Sequence, residues 1–448
     1  ARAGRTRLTR RGRVAVWVCG ALAVGALGAG GAGTWIYQRL DGNIHGADID
    51  GKIGGGRPVN SSPGSQNILV VGSDSRTGAN AKYGSDLTTM QSDTLMVLHI
   101  AANRDWATVV SLPRDSWVTI PACDRGNGSE SGLHHFKINE AFAIGGTSGD
   151  VAGAAACTIR TVERNTGLRI DHFMSVDFQG FKGMVNALDG IEVCPGTAIH
   201  DKKAHLDLEA GCQTVRDEKA LGYVRTRYSV GDGSDLGRIG RQQEFMEAVA
   251  AKAQKKLTSP KALYGFLDSA TRSLTTDEPL AGIKPLYALA SEIKGIPKER
   301  LAFLTVPNYP READVPADRA NVVWQYPQAS DLFTSLARDQ EVSKKKLEAA
   351  AKVPVYASTV RVQVLNGTGT AGRAAAVAET LRTAGFTVAS IGNAPETTGR
   401  TSVRYPGGLG AQARVLASRL PDVSARESAQ AAPGVVTLTV GTDFTDVR

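Results

Sequence analysis

The chain has 448 residues, 42% of them apolar, which is more than one ordinary domain needs and enough for a sizeable core. Its formal charge is +8, but six arginines (Arg2, Arg5, Arg7, Arg10, Arg11, Arg13) crowd the first thirteen positions, and without them the balance is +2. The excess is local, which excludes an extended nucleic-acid surface.

Val14–Tyr37 carries no charge and is long enough for the roughly 20 residues a helix needs to cross a bilayer. The arginines before it orient residues 1–13 to the cytoplasm and the rest to the outside, as a single-pass protein of the cell membrane. A cleaved signal peptide is the alternative, because the Ala/Gly-rich end of the run offers small residues. Residues 38–66, rich in Gly, Ser and Asn with Pro58 and Pro63, read as a flexible stalk.

From Asn67 the pattern becomes that of a folded domain, expected to span 67–340. Asn67–Gly72, Thr94–Ile100, Ala107–Leu112, His172–Val176, Ile191–Cys194 and Leu301–Val306 are short β-branched runs, hence strands. Ile138–Ile144, Asp150–Asn165, Phe178–Leu188, Asp217–Tyr223, Arg238–Lys256, Pro260–Ser273 and Pro279–Lys294 read as helices. Strands interspersed with helices predict an α/β fold with a central mixed sheet flanked by helices. Residues 341–358, Lys/Ala-rich with Pro354, read as a linker. Residues 359–448 then repeat strand, helix, strand and predict a small C-terminal α/β domain, read as an interaction module. Four cysteines follow the apolar run. Closeness in sequence favours Cys123–Cys157 and Cys194–Cys212, with free buried thiols as the alternative.

The chemistry-bearing residues are dispersed. Asp74 follows the first strand and Asp93 precedes the second, so antiparallel pairing would bring both carboxylates to one sheet edge. Such oxygens suit Mg²⁺ shared with substrate phosphate. Arg225 and Arg227 share a face if the chain is extended there, and arginine forks match phosphate oxygens. Arg238, Arg241 and Gln242 fall on one side of a helix that Asp235 begins. Arg114 ends a strand, and Lys137 precedes a helix. The adjacent His134 and His135 read as loop residues. No G-x-S-x-G elbow and no Walker loop occurs, so serine-hydrolase and P-loop chemistry are set aside.

The ordered series NILVVGSDSR (67–76), SDT (92–94), SLPRD (111–115), KIN (137–139), TVE (161–163), IDHFMSVDFQGF (170–181), NALDGIEV (186–193), YVRTR (223–227) and DLGRIGRQQ (235–243) resembles the LytR–CpsA–Psr family. VRVQVLNGTGTAGRA (360–374) resembles the LytR C-terminal domain. The resemblance implies a deep apolar pocket for a polyprenyl chain. It implies a Mg²⁺-dependent phosphotransferase that moves a glycopolymer from a polyprenyl-pyrophosphate carrier to the muramic acid 6-hydroxyl of peptidoglycan. It places metal ligands at Asp74 and Asp93, and catalytic residues at Arg114, Arg225, Arg227, Asp235 and Arg238. Substrate contacts fall on Arg76, Lys137, Arg225, Arg227, Arg238 and Gln242. Gln91 departs from the pattern, since relatives often carry arginine before SDT. A non-catalytic polyprenyl-phosphate binder or envelope regulator, and a lipid-carrier pyrophosphatase, are the alternatives.

Overall fold

The computed structural model describes residues 34–73, 90, 92–202, 204–226, 235–256 and 259–448; of 235–239, 254 and 260 only the backbone is described. Helix α1 (34–41), strand β1 (His45–Ala47) and helix α2 (Asp50–Ile53) come first. β1, α2 and the second half of α1 lie in residues 38–66, the segment read as a flexible stalk, and that reading is corrected. β1 pairs in parallel with a later strand, Ala47, Ile49 and Ile53 are buried, and Arg57 Nη2 lies 2.6 Å from Glu163. Gly, Ser and Pro here shape turns between short buried elements, and three inward apolar side chains outweigh the backbone freedom they bring. Among the described residues no helix is long and apolar enough to cross a membrane, and most of the Val14–Tyr37 run lies outside them.

β2 (Gln66–Ser73), β3 (Ser92–Ile100) and β4 (Ala107–Leu112) form an antiparallel meander. The ribbon β5 (Trp117–Ile120)/β6 (His134–Lys137) follows, then α3 (Glu140–Gly145), α4 (Val151–Thr166), β7 (His172–Asp177) and α5 (Phe178–Ala187). Asp150 accepts from Ala152 N to start α4, and Gly167 ends it at φ 73°, a left-handed stop that favours glycine. Two ribbons, β8 (Ile191–Val193) with β11 (Gln213–Val215) and β9 (Ile199–Asp201) with β10 (Leu206–Leu208), precede α6 (Asp217–Arg225), α7 (Asp235–Lys256) and α8 (Pro260–Arg272). β12 (Leu274–Asp277), α9 (Ile283–Gly295), β13 (Leu301–Thr305), the ribbon β14 (Asn308–Pro310)/β15 (Val322–Trp324) and α10 (Gln328–Ala337) complete the first body.

The main sheet has seven strands in the order β1-β12-β7-β2-β3-β4-β13. Its pairings mix parallel (β2 with β7, β4 with β13) and antiparallel (β2 with β3, β3 with β4), as the sequence pattern predicts. β12 sits between two helical stretches and was not expected there; its four residues, LTTD, are too short to show a period against the helices on either side.

The expected linker is also folded. It carries α11 (Lys344–Ala351), Glu341 bonds Arg300 at 2.7 Å, and Gln328 Nε2 donates to Ala350 O. The last module holds β16 (Arg361–Asn366), α12 (Arg373–Thr383), β17 (Thr387–Asn393), β18 (Ser402–Tyr405), α13 (Gly410–Ser418), β19 (Ala425–Glu427) and β20 (Val436–Val440), with a sheet ordered β17-β16-β20-β18-β19. It is docked onto the first body. Arg311 donates to Thr383 O at 2.8 Å, Arg164 pairs with Asp446 at 2.8 Å, and the Arg419 guanidinium lies over the rings of Tyr326 and Phe386. The disulfides Cys123–Cys157 and Cys194–Cys212 are both formed, as expected.

Candidate functional site

The site is built at one edge of the main sheet. Residues 95 and 112 face each other across β3 and β4, so Asp93 and Arg114, two further along in each direction, come level. Their side chains meet, with Arg114 Nη1 donating to Asp93 Oδ1 at 2.6 Å. β2 runs parallel to β7 with Ser73 beside Asp177, which caps α5 by accepting from Gly180 N at 2.8 Å. The carboxyl ends of β2, β4 and β7 and the amino end of β3 therefore share this edge, the usual position for a ligand in a layered α/β sheet.

Helix α6 brings the second arginine. Its last residue, Arg225, lies with its guanidinium 4.7 Å from the centre of the Phe178 ring and with Nε 4.0 Å from Asp93 Oδ2. Asp93 is thus bracketed by two guanidinium groups. The stretch expected to be extended is helical through Arg225, the chain leaves helical geometry only at Thr226, and α7 fixes that exit. Arg241 Nη2 donates to Thr226 O at 2.7 Å, Gln242 Nε2 donates to Val224 O at 2.8 Å, and Thr226 Oγ1 donates to Asp201 Oδ2 at 2.7 Å. These bonds satisfy carbonyls that the helix end would otherwise leave open. Burial lowers the Arg241 pKa.

Behind Arg114 stands Asp115. Its Oδ1 accepts from Lys137 Nζ at 2.6 Å, and its Oδ2 is 3.8 Å from Arg114 Nε. Lys137 also donates to Ala320 O at 3.1 Å. Expected as a substrate contact, Lys137 instead spends its ammonium group on Asp115 and does not line the cavity described below, so it supports Arg114 from behind. Arg114 Nε is buried and makes no hydrogen bond to any described residue.

An apolar cavity of about 530 Å³ opens beside these charges. Val70, Val71 and Met96 form its floor, and Phe181 and Met184 of α5, Val224 of α6, Met246 of α7 and Phe266 of α8 form its walls. Asp93, Arg114, Asp177, Arg225 and Gln242 lie on the same lining. The structure therefore joins four of the expected site residues, Asp93, Arg114, Arg225 and Gln242, around one hollow. Asp74, Arg76, Gln91 and Arg227 lie outside the described residues; Asp235 begins α7 and Arg238 follows in its first turn, with only their backbone described. Phe178, Asp115 and Asp177 were not singled out by the sequence, although all three sit inside the quoted motifs, and Arg241 was placed on the helix face of Arg238 and Gln242 without a role. For Asp115 and Arg241 the signal was adjacency, since each stands next to an expected ligand, Arg114 or Gln242, whereas the motif of Asp177 and Phe178 holds no expected ligand.

Among the described residues no group of three or more His, Cys, Asp and Glu side chains gathers as a metal cluster. Asp93 nevertheless keeps Oδ2 without a hydrogen bond among them. A carboxylate oxygen that accepts no hydrogen bond from a described residue and has only the Arg225 guanidinium at 4.0 Å fits a hard cation, which is commonly held by one or two carboxylates and completed by phosphate.

The family model described as LytR_cpsA_psr family matches residues 36–338, and that described as LytR cell envelope-related transcriptional attenuator matches residues 359–444. A Corynebacterium glutamicum protein named probable cell wall biosynthesis protein LcpB is 34% identical over 280 residues, 60% of this chain and 60% of that protein's length. A Bacillus subtilis protein named polyisoprenyl-teichoic acid–peptidoglycan teichoic acid transferase TagT is 27% identical over 290 residues, 62% of this chain and 82% of that one. The solved LytR-Csp2A-Psr enzyme from Actinomyces oris superposes with a TM-score of 0.49 at 19% identity, covering 67% of this chain and 97% of that one. With the first match running through most of the chain and across every element of the site, this protein belongs to the LytR–CpsA–Psr family.

Proposed function

We propose that this protein transfers a glycopolymer from a polyprenyl-pyrophosphate carrier to a hydroxyl of peptidoglycan, the muramic acid 6-hydroxyl, and makes a phosphodiester link. The observation that carries the reading is the junction of an apolar cavity of about 530 Å³ with the Arg114–Asp93–Arg225 cluster on its lining. An amphiphile with a long hydrocarbon tail and an anionic head matches that junction. The relatives' names, a cell wall biosynthesis protein and a teichoic acid transferase, point the same way.

In this reading the prenyl chain occupies the cavity and the diphosphate lies at Arg114 and Arg225, whose forks donate to its oxygens. The acceptor oxygen bonds to the glycan-bearing phosphorus, the bond from that phosphorus to the bridging oxygen breaks, and polyprenyl monophosphate leaves. The hydroxyl proton passes to a carboxylate, for which Asp235 is one candidate. Phosphoryl transfer of this kind rests on positioning and charge neutralisation more than on covalent catalysis. Mg²⁺, held by Asp93 together with Asp74, would neutralise charge on the diphosphate.

Val14–Tyr37 as a membrane span and an extracytoplasmic body complete the reading. The two disulfides support it, since such bonds persist in oxidising compartments. The test uses purified chain, a prenyl-pyrophosphate-linked oligosaccharide and peptidoglycan fragments. Oligosaccharide joined to peptidoglycan is the expected product, and Arg225→Ala should cut its rate of formation about 10²–10³-fold while circular dichroism is unchanged. Release of free phosphorylated oligosaccharide at the same rate with and without acceptor would instead identify a hydrolase.

A further inference from the structure

The apolar run Val14–Tyr37 ends inside α1, and no slack follows it. Leu40 is buried, Arg39 Nε lies 3.6 Å from Asp268 of α8, and Asp41 Oδ1 accepts from Ile283 N at 2.9 Å at the start of α9. Wherever the apolar run goes, α8 is held beside its end. The first residues of α1 are open: Trp35 is 56% exposed and Tyr37 48%, with the Arg39 guanidinium 5.3 Å from the centre of the Trp35 ring. Aromatic and basic side chains next to an apolar span are the usual residents of the lipid headgroup layer.

Helix α8 adds a second apolar surface. Ser269 faces α5, where a Cβ at Gly183 would stand 2.7 Å from Ser269 Cβ, and Phe266 faces the cavity. Leu263, Leu267 and Ala270 recur at i, i+4 and i+7 on the side that helical spacing turns away from α5. Leu263 is exposed, Lys261 is exposed on the other side of the helix, and Leu267 and Ala270 are half-buried.

We infer that the start of α1 and the outer side of α8 form one face that rests in the interfacial layer of a lipid bilayer, so that the cavity wall carrying Phe266 lies against the membrane. This rests on the proposed membrane span. The occupant is lipid because the chain itself delivers an uncharged run of bilayer length to this face with no stalk between. Apolar side chains settle at the acyl boundary while Lys261 and Arg39 stay with the headgroups, the pattern of an interfacial helix. A bilayer-confined carrier then meets the cavity without leaving the membrane.

The test reconstitutes the full chain in phosphatidylcholine vesicles containing phosphatidylglycerol, with acyl chains brominated near the headgroup, and reads tryptophan quenching. Trp106, Trp117 and Trp324 emit in every chain, so each probe is read as a difference: Trp35 as a Trp17→Phe chain minus the chain carrying Trp17→Phe and Trp35→Phe, and α8 as Leu263→Trp in that second background minus the background alone. Val353→Trp, at a position 80% exposed in the segment before the last module, is the control in the same background. The expected result is that the Leu263→Trp emission loses most of its intensity and the Val353→Trp emission none. Quenching at Trp35 without quenching at Leu263→Trp overturns the inference and leaves the membrane span standing. No quenching at Trp35 removes the span and the inference together, and equal quenching of both introduced tryptophans shows that no defined face exists.

Discussion

Arg225 and Arg114 differ in what holds them, and their variants should differ accordingly. Arg225 lies over Phe178 at 4.7 Å and stands 4.0 Å from Asp93, so it is steered without being consumed. Losing one donor aimed at developing charge costs about 10²–10³ in rate; that is the fall in kcat expected of Arg225→Ala. Arg114→Lys keeps the charge but cannot reproduce a fork that serves Asp93 and a phosphate together. It should bind donor less well while its melting temperature stays near that of the parent. Arg241 acts through the backbone. Arg241→Met leaves Thr226 O without its partner, a loss of about 1–3 kcal/mol for a buried group, and should lower the melting temperature while raising KM for the donor. A second residue-scale test is set by His172, whose Nδ1 lies 2.8 Å from Asp277 Oδ2. That hydrogen bond, with the carboxylate's charge, raises the imidazole pKa above its ordinary value. The folded protein then holds the proton more tightly than the unfolded chain, so the pair stabilises fully below about pH 6.5 and is lost as pH rises through the higher folded value. The melting-temperature gap between parent and His172→Asn should therefore be widest at acid pH and shrink in alkaline buffer.

Elements shape the cavity through close helix contact. α5 and α8 approach at Gly180 and Gly183, where an added Cβ would stand 2.3 Å from Ser273 Cβ and 2.7 Å from Ser269 Cβ. Gly183→Ala must push α8 outward, since a Ser Cβ cannot rotate away. Overpacking of this kind costs about 1–3 kcal/mol, and the displaced wall should also weaken donor binding; an unchanged melting temperature would show that the helices are less tightly set. Much at this scale was legible in sequence. The β-branched runs gave β2, β3, β4, β7 and β13 nearly to the residue, and Asp150 and Gly167 mark the ends of α4. Three-residue strands such as β1, β9 and β10 escaped because a period of two needs more than three positions to declare itself. α9 starts at Ile283, after Gly282, rather than at Pro279, because Pro279 falls in a separate short turn of helix.

At the scale of the whole molecule the two modules share one core. A single buried apolar cluster takes in Leu69 and Phe173 of the first sheet together with Val364, Leu416 and Leu438 of the second. Arg419, 3% exposed, donates to Ala384 O at 2.9 Å while lying over Tyr326. Calorimetry should give one transition for the full chain, and Arg419→Ala should lower it as a unit; two separate transitions would mean the modules melt independently. Removal of residues 359–448 should likewise destabilise the first body rather than merely remove an accessory. The disulfide between Cys123 and Cys157 closes a loop of 34 residues and, on chain entropy, is worth roughly 3–4 kcal/mol.

The sequence by itself determined the family, the order of β2, β3, β4, β7, β8 and β13 and of α3 to α9, the favoured cysteine pairing and four of the residues that gather at the cavity. It could do so because these depend on local period and on motif order along the chain. Tertiary structure alone decided that Lys137 is spent on Asp115, that Arg241 and Gln242 tie down the end of α6, and that residues 38–66 and 341–358 are built into the fold. Each of these turns on which distant group a side chain meets. Pairings such as 137 with 115, 57 with 163 or 419 with 326 leave no mark on composition or spacing, because packing selects them only once the sheets have formed.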